Sequence, residues 1–116
     1  FFYEATIVAE VEPGMVMFEE EVFGPAAAVV RAKNADHALD LANASSFGLG
    51  SSLWTRDTHT AEALAGRVEA GAVFINGLVA SDPRLPFGGV KRSGYGRELS
   101  TFGIHEFTNI QTVWIA

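Results

Sequence analysis

The 116-residue chain contains no cysteine, which excludes disulfides, thiolate metal sites and a thiol nucleophile within it. It is also short of positive charge: 8 Lys and Arg stand against 14 Asp and Glu, for a formal net charge of −6. With no basic run to follow a phosphate backbone or an anionic surface, neither nucleic acid nor a membrane is an expected partner. No apolar stretch reaches the ~18 residues a membrane helix needs, and Phe1-Phe2-Tyr3-Glu4 lacks the basic start of a signal peptide. A cytoplasmic setting is expected. The histidines His37, His59 and His105 lie far apart and form no metal-ligand pattern, so no metal is expected, and His37 and His59 read as solvated helix-surface residues. Gly-x-Ser-x-Gly is missing, which leaves a serine hydrolase unsupported.

What is present is a globular interior. Hydrophobic residues make up 48%, aromatics 11% and charged residues 19%, far from the profile of a disordered chain. The length suits one small domain or part of a larger one, and an opening that is aromatic and lacks Met reads as a chain entered midway, hence a fragment. Ala5–Val11 is a β-rich run closed by Glu12-Pro13-Gly14, while Met15–Phe23 is ambiguous. After Gly24-Pro25, Ala26–Ala32 is nearly continuously apolar, as in a strand covered on both faces. Asn34 can cap a helix whose apolar positions are Ala35, Ala38, Leu39 and Ala42. Ser51–Thr55 is extended. Asp57 or Thr58 can cap a second helix, with Ala61, Leu64, Ala65 and Val68 as its buried stripe and Gly71 as its stop. Ala72–Ile75 is a short strand, Arg97–His105 a short helix and Asn109–Ile115 a final strand. Strands alternating with helices indicate an α/β fold with a mainly parallel sheet.

Between Leu78 and Gly96 no periodicity survives, and Gly88, Gly89, Gly94 and Gly96 suit turns and close backbone approaches. Gly88 to Ser93 has the ingredients of a phosphate loop without its spacing. Gly94-Tyr95-Gly96 begins a dinucleotide fingerprint, but Leu99 takes the third glycine's place. On pattern alone these are turn glycines, and Glu19-Glu20-Glu21 is a solvated face.

Three segments taken in order change that reading. Glu20-Glu21-Val22-Phe23-Gly24-Pro25, then Asn76, then the run from Pro86-Phe87-Gly88-Gly89 to Gly96-Arg97-Glu98 together resemble the carboxyl-terminal part of the aldehyde dehydrogenase superfamily. Gly48-Leu49-Gly50 and the Asn109-Ile110-Gln111-Thr112-Val113 tail add to the likeness, which covers essentially the whole chain. The resemblance implies that residues 1–108 are the C-terminal part of a catalytic domain and that 109–116 form a strand of a sheet joining the subunits of a homo-oligomer. It also implies a mechanism: thiolate attack on an aldehyde, hydride transfer to NAD or NADP, and hydrolysis of a thioester. By the same likeness the catalytic cysteine, the general-base glutamate and the Rossmann-like domain that holds NAD(P) would all lie upstream of this region, and without a thiol the isolated chain is expected to be inactive.

Site residues follow from the same likeness. Glu21 matches a glutamate that accepts hydrogen bonds from the nicotinamide-ribose hydroxyls, a task suited to an ionised carboxylate, and Phe23 matches an aromatic that packs beside the nicotinamide. Phe87 matches a wall of the aldehyde pocket. Glu98 resembles an accessory acid in proton relay, with an exposed or salt-bridging role as its alternative. Ser81, with Ala80 and Asp82 beside it and the ending Phe102 to Trp114, makes succinate-semialdehyde dehydrogenases the most similar subgroup, the hydroxyl of Ser81 binding the substrate's distal carboxylate. A dehydrogenase for another aldehyde and a non-catalytic interaction module remain the alternatives.

Overall fold

The computed structural model describes residues 1–116, which divide into two compact units, Phe1–Ser46 and Phe47–Ala116. In the first, β1 (Thr6–Val8) pairs in parallel with β2 (Ala26–Ala28) through Thr6–Ala26, Ile7–Ala27 and Val8–Ala28. A parallel pair needs a crossover, and the connection carries α1 (Val16–Glu19). Met15 gives that helix no side-chain cap; instead the Glu19 carboxylate reaches back and accepts from the Gly14 N–H at 2.9 Å. One of the three consecutive acids is thereby used structurally.

The expected strand Ala5–Val11 is shorter than its β-rich run. Glu10 sits at φ 57, a left-handed conformation that breaks a ladder, and there it pairs with Arg31 at 3.1 Å. Pairing resumes once, where the Val11 N–H donates to the Val29 carbonyl, and Val11 is only 2% exposed. The expectation that Ala26–Ala32 is covered on both faces is not met: Ala27 and Ala28 are exposed, because pairing with β1 covers an edge of β2 and not its faces.

α2 (Ala35–Ala44) follows its cap signal, with the Asn34 side chain accepting from the His37 N–H at 2.9 Å. His37 is not a free surface residue: its Nδ1 accepts from the Lys33 N–H at 3.1 Å. Of the four apolar positions read as the buried face, Leu39 alone is buried, while Ala35, Ala38 and Ala42 are exposed.

The second unit contains β3 (Phe47–Gly48), β4 (Gly50–Leu53), α3 (Thr58–Ala65), β5 (Ala72–Ile75), β6 (Val90–Lys91) and α4 (Ser100–Glu106). β4 and β5 run parallel around the crossover α3, with Gly50 opposite Ala72 and Leu53 opposite Ile75, while β3 and β6 are antiparallel. The fold is α/β as expected, with two of its three strand pairs parallel. Asp57 is the cap of α3, accepting from the Thr60 N–H at 3.0 Å, and Ala61 is buried beneath it. The helix stops at Gly66, not Gly71, because the chain tightens there into bonds from the Arg67 and Val68 N–H groups to the Leu64 and Ala65 carbonyls.

α4 starts three residues later than Arg97. Arg97 and Glu98 are held in other pairings, and Leu99 and Ser100, at φ 64 and 52, make the corner into the helix. Residues 109–116 form no ladder and are exposed. The final strand is thus not formed within the chain, since a strand needs a neighbouring strand to bond and no segment here supplies one. No helix is long and apolar enough to cross a membrane.

Candidate active-site residues

The glycine-rich segment of the second unit closes on itself. Phe87 and Glu98 form an isolated antiparallel bridge in which each N–H donates to the other's carbonyl, at 2.9 and 2.8 Å. Eleven residues apart in sequence, the two are directly opposite in space. The excursion between them is stapled by Arg97, whose Nη1 donates to the Gly89 and Gly96 carbonyls at 2.8 Å each, and by Ser93, whose Oγ accepts from the Gly48 N–H at 3.0 Å. Arg92 lies 5.4 Å from the centre of the Phe47 ring, a cation–π distance.

Two glycines make this closure possible. A Cβ on Gly71 would strike the Gly88 carbonyl, and one on Gly88 would strike the Gly96 carbonyl. Gly71, read from sequence as a helix stop, is instead where β5 passes the loop. Phe87, Tyr95, Glu98 and Phe107 border an open cavity of about 360 Å³. The Phe87 ring is half-buried and the Glu98 residue exposed, so the structure brings an aromatic wall and an acid to one depression.

Ser81 lies beyond this bridge, exposed, in the loop that leaves β5. Asn76 anchors the start of that loop. At φ 53 its side chain spans the ends of the two parallel strands, accepting from the Thr55 N–H and donating to the Thr55 carbonyl, both at 2.8 Å. Beyond Ser81 comes a β-turn, with Asp82 first, Pro83 second, and the Leu85 N–H donating to the Asp82 carbonyl at 2.9 Å. Its far side is held by the Ser100 N–H on the Pro83 carbonyl at 3.1 Å. The Asp82 carboxylate accepts from the Arg84 backbone N–H and Nε at 2.9 Å and from Nη2 at 2.6 Å. Those bonds, the guanidinium first, hold Asp82 below the usual carboxylate range and raise Arg84 in return. Sequence reasoning did not single out Arg84 or Arg97. Asp82-Pro83-Arg84 carried a legible turn signal, Asp followed by Pro; the carbonyls that meet Arg97 come together only through the folded loop.

In the first unit, Glu21 and Phe23 occupy the link between α1 and β2. Two successive three-residue turns shape it, the Gly24 N–H donating to the Val22 carbonyl and the Ala26 N–H to the Gly24 carbonyl, each at 2.8 Å. The link enters β2 where the Pro25 carbonyl accepts from the Thr6 N–H at 2.9 Å. Glu21 is exposed and takes part in none of the ion pairs Arg31–Glu10, Arg84–Asp82 and Lys91–Glu69. Phe23 is 96% exposed. The link thus presents a carboxylate and an aromatic ring, two residues apart in sequence, to the surface.

Comparison with known proteins places the chain in a family. Over 113 residues the chain is 58% identical to a succinate semialdehyde dehydrogenase of Escherichia coli (strain K12) named for NAD(P)+, covering 97% of this chain and 24% of that protein. Over 116 residues it is 56% identical to a succinate-semialdehyde dehydrogenase of Mycobacterium bovis (strain BCG / Pasteur 1173P2) named for NADP(+), covering all of this chain and 25% of the relative. The chain therefore spans about a quarter of the length of these relatives. Its fold matches the crystal structure of the succinic semialdehyde dehydrogenase from Streptococcus pyogenes in complex with NADP+, with a TM-score of 0.92 and 38% identity over 98% of this chain and 25% of that one. The sequence model of the aldehyde dehydrogenase family matches residues 1–113, so the chain belongs to the aldehyde dehydrogenase family.

Proposed function

We propose that the chain is the carboxyl-terminal portion of an NAD(P)-dependent succinate-semialdehyde dehydrogenase, which oxidises succinate semialdehyde to succinate. The observation that carries the reading is identity of 56–58% to succinate-semialdehyde dehydrogenases over 97–100% of the chain. The thin core supports the reading that further chain belongs against this one. Only Val11, Leu39 and Ala61 are buried hydrophobic residues, while Trp54, Tyr95, Phe107 and Trp114 stand open, more apolar exposure than a self-sufficient domain carries. Residues 109–116 are then the strand offered to another subunit of a homo-oligomer.

NAD(P), when bound, supplies the hydride acceptor. Glu21 would accept from its ribose hydroxyls and Phe23 would pack beside its nicotinamide, the turns at Gly24 and Pro25 fixing the direction of both side chains. Phe87 would wall the aldehyde and exclude water from it. Glu98, tied to Phe87 through the backbone, would hold a proton at its carboxylate for relay to a base elsewhere in the enzyme. Ser81 would donate its hydroxyl proton to the distal carboxylate. The nucleophilic thiol must come from outside this cysteine-free chain, so the chain alone turns over no aldehyde and no activated ester.

Ser81→Ala in the complete enzyme tests the substrate. Loss of a hydrogen bond to a charged group, roughly 1.5–3 kcal/mol, lowers kcat/KM for succinate semialdehyde by about 10- to 150-fold and leaves an uncharged aldehyde of similar length nearly unaffected. Equal loss on both aldehydes would assign Ser81 to shaping the loop, and no loss on either would remove the succinate-semialdehyde reading's support within the site.

A further inference from the structure

Ser81 is followed directly by an acid, a poor neighbour for a hydroxyl that meets a carboxylate. An unpaired Asp82 would place a negative charge one residue from the point of contact, where like charges repel. The structure deals with that charge within the same turn. Arg84 engages both carboxylate oxygens through Nε and Nη2, at 2.9 and 2.6 Å, and its backbone N–H adds a third bond at 2.9 Å. This is the two-pronged geometry that guanidinium makes and ammonium does not. The Arg84 side chain is 85% exposed and that of Asp82 32% exposed, and an ion pair so open to water contributes little to stability. Its consequence lies in where the charges sit.

We infer that Arg84 is a specificity-determining residue, neutralising Asp82 so that the loop around Ser81 accepts an aldehyde bearing a carboxylate instead of repelling it. This rests on the reading of Ser81 as the contact for the distal carboxylate. Arg84 needs no contact with the substrate, since it acts by cancelling a charge that would otherwise select for neutral aldehydes. Pro83 and the Ser100–Pro83 bond keep the turn in place, so the pair can be altered without removing every constraint on the loop.

The test compares Arg84→Gln, Asp82→Asn, the double variant Asp82→Asn/Arg84→Gln and Ser81→Ala in the complete enzyme. Each is assayed with succinate semialdehyde and with an uncharged aldehyde of similar length, at low and at raised salt. Uncovering one charge near the surface should raise KM for succinate semialdehyde about three- to tenfold at low salt in Arg84→Gln, with kcat little changed. The loss should shrink as salt screens it, be absent for the uncharged aldehyde, and be recovered in the double variant, where no charge is left to cancel. Loss on both aldehydes, no loss on either, or failure of the double variant to recover overturns the inference in favour of a turn-shaping role. Ser81→Ala separates the two levels. If it shows no selective loss, the Ser81 reading fails and takes this inference with it; if it does while Arg84→Gln does not, the inference alone fails.

Discussion

The link Glu20–Pro25 and the loop Pro86–Glu98 both carry proposed site residues, yet they are built in opposite ways. The first is held by backbone hydrogen bonds alone, its two turns and the Thr6–Pro25 bond, and the Glu21 and Phe23 side chains stand exposed. The second is locked by the Phe87–Glu98 bridge, the Arg97 staple and glycines at which a Cβ would collide with a carbonyl. In the link, exposed side chains can be exchanged at little cost to the fold, so a loss of function there would point to a ligand. In the loop the backbone itself is the constrained part, so conformation and site chemistry are inseparable.

The sharpest way to break that contrast is Gly71→Ala. The new methyl would occupy the position of the Gly88 carbonyl, and because backbone, not a flexible side chain, must move, destabilisation at or above the usual overpacking cost of about 1–3 kcal/mol is expected. Thermal unfolding of the complete enzyme measures it. A wild-type midpoint would show that the loop is looser than its contacts indicate.

Glu21→Gln and Phe23→Ala probe the other side. Loss of a charge-assisted acceptor should cost roughly 1.5–3 kcal/mol in cofactor placement, read as slower hydride transfer and weaker NAD(P) binding, while the unfolding midpoint stays near wild type. If the midpoint fell and cofactor binding did not, the link would be structural like the loop.

Smaller effects are expected at the helix caps, away from both regions. Asn34→Ala should remove about 1 kcal/mol from α2, seen as faster hydrogen exchange at amides near its start. Asp57 adds a pH signature. Its bonds to Thr60, the side-chain hydroxyl first and then the backbone N–H, lower its pKa from the ordinary 3.8. A carboxylate lowered on folding contributes stability that is fully present above 3.8 and lost as pH falls through the folded value beneath it. The stability difference between wild type and Asp57→Ala should therefore be constant near neutral pH and shrink below that point, and a difference that grows on acidification would reverse the assignment.

Local signals in the sequence were sufficient wherever the deciding partner lay within a few residues. Asn34 and Asp57 cap the helices that their positions announce, Ala72–Ile75 is the strand it reads as, and alternating strands and helices yield parallel pairs with helical crossovers. The segments resembling a known family were also legible without coordinates, because residue identity alone carries a motif. Tertiary structure decided what depends on distant partners. It brought Gly71 against Gly88, set Phe87 against Glu98, and turned Arg97 onto the Gly89 carbonyl. It left residues 109–116 unpaired as well, since a ladder is a property of two segments and a cap or a turn is a property of one.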